Sequence, residues 1–94
     1  MDQYIQQALA GDEMAILHLT TMHKPRLLAK AYTYMKNMQD AEDIVQETFI
    51  KAFSALVQLK EPKYFATWLY KILIRESYVA LKKKKRTELL EIEI

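Results

Sequence analysis

The chain has 94 residues, 51% of them apolar and 28% charged, which is room for one hydrophobic core and too apolar for a disordered segment. One Gly and two Pro leave little turn chemistry for a β-meander or barrel, and the absence of Cys excludes a disulfide scaffold, a Cys-ligated metal and thiol catalysis. The formal charge of +2, from 14 basic and 12 acidic residues, commits the chain to no particular partner.

Tyr4, Ile5, Ala8 and Leu9 fall at helical spacing, and Gly11 with Asp12 should end that short element and cap the next. From Glu13 onward Ile16, Leu17, Leu19, Leu27, Leu28, Ala31, Tyr32 and Met35 continue a helical pattern that Pro25 interrupts. A mid-helix proline removes one backbone hydrogen bond and crowds the preceding turn, so two abutting helices or one helix kinked near His23 and Lys24 are expected. Asn37 is a plausible stop. Asp40 then sits where an N-cap would be, with Glu42 and Asp43 near the positive helix end. Ile44, Val45, Thr48, Phe49, Ala52, Phe53 and Leu56 mark one buried stripe; Glu42, Gln46, Glu47, Ile50 and Lys51 face away, with Asp43 on the boundary.

Residues 58 to 64, which include Pro62, form the best loop candidate. Beyond it Phe65, Trp68, Leu69, Ile72, Leu73, Tyr78, Val79 and Leu81 give a long helical pattern that ends in the run Lys82 to Arg86. Residues 87 to 94 alternate acidic and apolar side chains and either extend that helix or begin a linker. No run of residues approaches the ~18 apolar positions a bilayer span needs, and no charged segment followed by an apolar one opens the chain. The expected fold is all-α, a compact bundle of four to five helices, in an intracellular protein.

Charge is segregated along this bundle. Residues 37 to 50 hold Asp40, Glu42, Asp43 and Glu47 and no cation, whereas residues 60 to 86 hold nine Lys and Arg against Glu61 and Glu76. Two surfaces for two partners follow, one partner basic and the other a polyanion. Within the basic half Lys60, Lys63, Tyr64, Phe65, Trp68, Tyr70, Lys71, Arg75 and Tyr78 interleave rings with cations, which is what single-stranded nucleic acid requires, since every base offers a π-face and every phosphate a charge. Trp68 shares the apolar stripe with Leu69 and Ile72 and reads as core; Tyr64, in or beside the loop, is the better stacking residue. The lysine run alone would also suit a solvated helix end or an anionic membrane surface.

Catalysis finds little support. His18 and His23 are five apart, about 140° around a helix, and cannot share a metal on one face. A single Gly cannot build a phosphate cradle, and Asp43 with Glu47 reads as a solvated acidic face before an acid–base dyad. No cofactor or metal is expected.

Taken in order, residues 40 to 53 (DAEDIVQETFIKAF), residues 65 to 75 (FATWLYKILIR) and the basic run resemble the second conserved region of bacterial sigma factors of the extracytoplasmic-function type. The resemblance covers residues 12 to 86. It implies that the acidic helix docks on the coiled coil of the largest subunit of RNA polymerase, through Glu42, Asp43, Gln46, Glu47 and Ile50. It implies that Lys60, Lys63, Tyr64 and Phe65 stand in or beside a pocket for bases of the −10 promoter element, with Lys71, Arg75, Lys82 and Lys83 along the non-template strand. Trp68 corresponds to a packed tryptophan. Such factors are cytoplasmic and are commonly held by an anti-sigma protein, a further expected partner. The chain departs from the pattern at Arg75, where many members carry Asn, and at Val79, where many carry Asp. The family's helix-turn-helix domain is missing, so residues 1 to 86 read as one domain of a longer protein, followed by the start of a linker or a helix extension. A helical adaptor that binds only protein is the competing reading; it would show no preference between promoter-like and scrambled single strands.

Overall fold

The computed structural model describes residues 2 to 93. They form α1 (Asp2–Leu9), α2 (Glu13–Met35), α3 (Met38–Ser54), two single 3₁₀ turns (Leu56–Gln58 and Pro62–Tyr64) and α4 (Phe65–Glu93). Among the described residues there is no strand, and no helix is long and apolar enough to cross a membrane. α2 is the centre: α1, α3 and α4 all pack against it, and α3 also packs on α4. The Cα radius of gyration is 15.2 Å, against about 12 Å for a compact chain of this length. The excess comes from α4, whose residues Lys82 to Glu91 are all exposed.

The junctions follow local chemistry. Gly11 takes φ +90°, a conformation that costs a residue without a Cβ little, and lets α1 fold back on α2. The Asp12 carboxylate then accepts the backbone N–H groups of Met14 (2.9 Å) and Ala15 (3.4 Å), capping α2 as expected. Across Pro25, the structure chooses one continuous helix. Thr21 and Pro25 are both exposed, so water can serve the carbonyl that proline leaves without a donor, while buried Leu19, His23 and Leu27 hold the two sides together. The next junction corrects the expected cap. Lys36, in the left-handed region at φ 56°, ends α2, and Asn37 caps α3 by accepting the Asp40 N–H at 3.0 Å. Asp40 therefore lies inside the first turn. Both residues are good caps; the reversal completed at Lys36 leaves Asn37 as the first residue with extended backbone.

The α3 stripe is buried as read from its spacing, at Ile44, Val45, Thr48, Phe49 and Ala52, with Phe53 half-buried against the core, and Ala41 extends it one turn earlier. The α2 stripe is shifted. Ala15, Leu19, His23, Leu27, Ala31 and Met35 are buried at strict four-residue steps, while Leu17 and Tyr32 face out. In α4 the interior holds Phe65, Leu69, Leu73, Glu76 and Ser77, and Tyr78 and Val79 are exposed. Two polar residues therefore displace two apolar ones. Ser77 satisfies itself by donating to the Leu73 carbonyl at 2.8 Å, and Lys51 of α3 donates to both Glu76 carboxylate oxygens at 2.9 Å. A paired carboxylate can occupy a site that hydropathy reserves for an apolar side chain.

His23 lies within the core, edge-on to Phe65 with ring centroids 5.2 Å apart, and its Nε2 has no hydrogen-bond partner. Burial, reinforced by the Arg26 charge, lowers its pKa from 6.5. A lowered histidine pKa means that the unfolded chain binds the proton more readily, so stability is complete above pH 6.5 and declines as pH falls below it. Urea midpoints measured at successive pH values should show this decline, and His23→Leu should flatten the portion just below pH 6.5.

Candidate functional site

Burial of one α3 stripe turns the opposite arc outward, and Glu42, Asp43, Gln46, Glu47 and Ile50 are all exposed. They form two rows. Glu42, Gln46 and Ile50, one turn apart, face α2 and line a shallow groove with Thr20 and Lys24 over a floor of Val45 and Phe49. Asp43 looks the other way, into a cleft shared with Asp40 and the Lys84, Thr87 and Glu88 side of α4. Glu47 lies 3.9 Å from Lys51, but Lys51 is held more closely by buried Glu76 at 2.9 Å. The hydrogen bond to Glu76 raises the Lys51 pKa and fixes the ammonium. Its charge is thus answered mainly by Glu76, and the outer face of α3 stays negative. At the other end Lys84 reaches Asp40 at 3.4 Å, an exposed pair worth little by itself.

The second surface begins where α3 ends. Leu56 buries the first turn, the chain crosses exposed Lys60, and Pro62 opens the turn that runs directly into α4. Tyr64 stands out at 55% exposure with the Lys63 ammonium 5.2 Å from its ring centre. Tyr64, Leu59, Thr67, Trp68 and Lys71 line a groove of about 400 Å³. Its mostly apolar lining with a lysine at the rim can seat a planar ring and offer a cation to an attached phosphate. Lys71 and Arg75, one turn apart, carry the positive charge along α4.

Several site expectations change here. Phe65 is 1% exposed, its ring between His23, Phe53 and Trp68, and it cannot stack on a base. The chain enters α4 at that residue, and the roughly 100° turn from one helical residue to the next leaves Tyr64 in solvent and carries Phe65 into the core. Trp68 packs on Phe65 as expected, yet is only half-buried and also walls the groove. Lys82 and Lys83 are exposed, but Lys82 lies about 16 Å of helix rise beyond Lys71, and Lys83 is further along and rotated by about 120° from Lys71. Neither joins the groove. Thr20 and Lys24 were missed because only the packing of α2 on α3 brings them beside Gln46 and Ile50. Leu59 and Thr67 lie within or next to the loop segment, where proximity to Tyr64 was the available signal.

The fold is thus a helical bundle with a negative helix face on α3 and, on other elements, a ring-lined groove edged by cations. Residues 19–87 match the Sigma-70 region 2 family, and the chain belongs to that family, as a member of the extracytoplasmic-function type. It is 38% identical over 73 residues to RNA polymerase sigma factor SigV of Bacillus subtilis (strain 168), an alignment covering 78% of this chain and 44% of the relative. It is 31% identical over 90 residues to ECF RNA polymerase sigma factor SigW of the same organism, covering 96% of this chain and 48% of the relative. RNA polymerase sigma-H factor of Pseudomonas aeruginosa is 33% identical over 72 residues, covering 77% and 37%. The chain thus spans less than half the length of these relatives.

Proposed function

We propose that this domain acts in transcription initiation in the cytoplasm, docking on core RNA polymerase through the outer face of α3 and capturing non-template bases of the −10 element in the groove beside Tyr64. The observation that carries the reading is that the two oppositely charged surfaces share no residue, so both partners can be held at once. Glu42, Asp43, Gln46, Glu47 and Ile50 supply the polymerase contact, with Thr20 and Lys24 of α2 completing its groove. Tyr64 and Trp68 supply ring faces, Lys60 and Lys63 the loop cations, and Lys71 and Arg75 phosphate contacts further along the strand. Lys82 and Lys83 serve as outlying positive charge. An anti-sigma protein covering the α3 face is the corresponding regulator, and the domain performs no covalent chemistry.

Energetics suit a capturing role and not unaided melting. Opening each base-pair step costs about 1.4 kcal/mol of stacking, and one base stacked on an aromatic returns about 1–3 kcal/mol. One or two captured bases are within reach of this groove; a whole transcription bubble requires the polymerase. The test uses a fluorescent single strand carrying a −10-like element beside a scrambled strand, with and without core polymerase. The domain alone should bind both weakly and lose affinity steeply with added salt, and preference for the −10-like strand should emerge with polymerase. Equal affinity for both strands in the presence of polymerase would favour the protein-only adaptor.

A further inference from the structure

Glu47 and Lys51 stand one turn apart on α3 with the acid on the N-terminal side, the order in which such a pair attracts best. By local rules this pair should neutralise itself. Lys51 is the only cation of α3, and among the described residues no other cation pairs with Glu47. Yet the Lys51 ammonium stays 3.9 Å from Glu47 and donates to both oxygens of Glu76 at 2.9 Å. A movement of about 1 Å would bring it within hydrogen-bond length of Glu47, so Glu76 decides which acid it serves.

Glu76 prevails because of where it lies. Its side chain is 9% exposed, whereas that of Glu47 is 48% exposed and its attraction is weakened by water. A buried carboxylate without a partner is costly, so the ammonium is drawn inward. Both Glu76 oxygens are engaged, and among the described residues the adjacent Arg75, whose charge also acts on Lys51, pairs with no acid. In the cluster Glu47, Lys51, Glu76 and Arg75 the inner two charges thus cancel, and the outer two remain available with opposite signs. Holding α3 against α4 does not itself demand a carboxylate at position 76, because apolar side chains in place of a buried ion pair are often neutral or stabilising. Control of the charge on the α3 surface accounts for the acid.

We propose that Glu76 is a positioning residue for polymerase docking: it withholds Lys51 from Glu47 and leaves the Glu47 carboxylate without a hydrogen-bonded partner, ready for a cation of the polymerase. The inference rests on the docking reading of α3 and adds to it a residue too buried to meet the polymerase. The experiment measures the affinity of the whole, fluorescently labelled chain for core polymerase by anisotropy. Glu76→Leu, which offers Lys51 no acceptor, should weaken binding at least about threefold at low salt, and the loss should shrink as added salt screens the new pair. Removing the freed cation as well, in Lys51→Gln/Glu76→Leu, should restore binding to within about twofold of the parent. A merely structural role predicts no such rescue, since the second substitution repairs no packing. Glu13→Gln, in the exposed first turn of α2, makes the same one-unit change in net charge and should leave binding unaltered. If Glu76→Leu loses its fold by circular dichroism, Glu76→Gln keeps the side-chain shape and should show a smaller loss with the same rescue by Lys51→Gln. Unchanged affinity in the folded position-76 variant, a loss that Lys51→Gln does not reverse, or an equal loss in Glu13→Gln overturns the proposal. Glu47→Lys in the same assay separates the two levels. If it weakens binding and the position-76 variant does not, docking on α3 stands and this inference fails; if Glu47→Lys has no effect either, the docking reading fails with it.

Discussion

Replacing Phe65 by alanine should lower the unfolding free energy by about 3–5 kcal/mol, while replacing its neighbour Tyr64 should scarcely change it. The Phe65 ring, 1% exposed, is held among His23, Phe53 and Trp68, so its removal opens a cavity between α2, α3 and α4. A domain of this length is typically stable by about 5–14 kcal/mol, so the loss should be plain in thermal or urea unfolding followed by circular dichroism. Tyr64, 55% exposed, has little packing to lose. Tyr64→Ala should instead weaken binding of a −10-like single strand to the polymerase-bound domain by the value of one stacked base, about 1–3 kcal/mol or roughly 5- to 150-fold. A stable Phe65→Ala variant would refute the core placement of that ring, and unchanged oligonucleotide affinity in Tyr64→Ala would remove the capture site from this groove.

Reversing the charge at Glu47 should weaken association with core polymerase by at least about 30-fold without unfolding the domain. Losing one member of a desolvated charge pair at an interface costs about 2–5 kcal/mol, and reversal adds repulsion. Folding should tolerate the change because Glu47 is half-exposed and its neighbour Lys51 keeps Glu76 as the closer partner. The cost within the helix is a like-charge pair one turn apart, about 0.2–0.5 kcal/mol. A pull-down with core polymerase, paired with an unfolding curve, separates the two effects. Retained binding in Glu47→Lys would move the polymerase contact off this part of α3; lost binding with a collapsed unfolding midpoint would mean that the Glu47 side chain supports the fold.

The residues differ in how openly they announced their places. In α3 apolar and charged positions alternate cleanly, so its burial was readable, and with it the exposure of Glu42, Asp43, Gln46, Glu47 and Ile50. α2 was less legible because it is apolar on two sides: the spacing placed Leu17 and Tyr32 on the same footing as Leu19 and Leu27, and only the positions of α1, α3 and α4 decided which stripe was covered. His23 and Glu76 were invisible as interior residues, since a titratable side chain is buried only when neighbours distant in the chain make it tolerable. For Glu76 that neighbour is Lys51, 25 positions away.

By itself the sequence determined the all-helical class, the breaks at Gly11 and before α4, the outward face of α3 and the family, because helix periodicity, capping and the order of motifs are local properties of the chain. Only the tertiary structure decided that Tyr64 and Phe65 have opposite fates, that Trp68 lines a groove, that Lys51 is tied to Glu76, and that Leu17 and Tyr32 of α2 face out. Each of these depends on which helix lies against which, and that is set by the combined burial of four helices, which no single segment encodes.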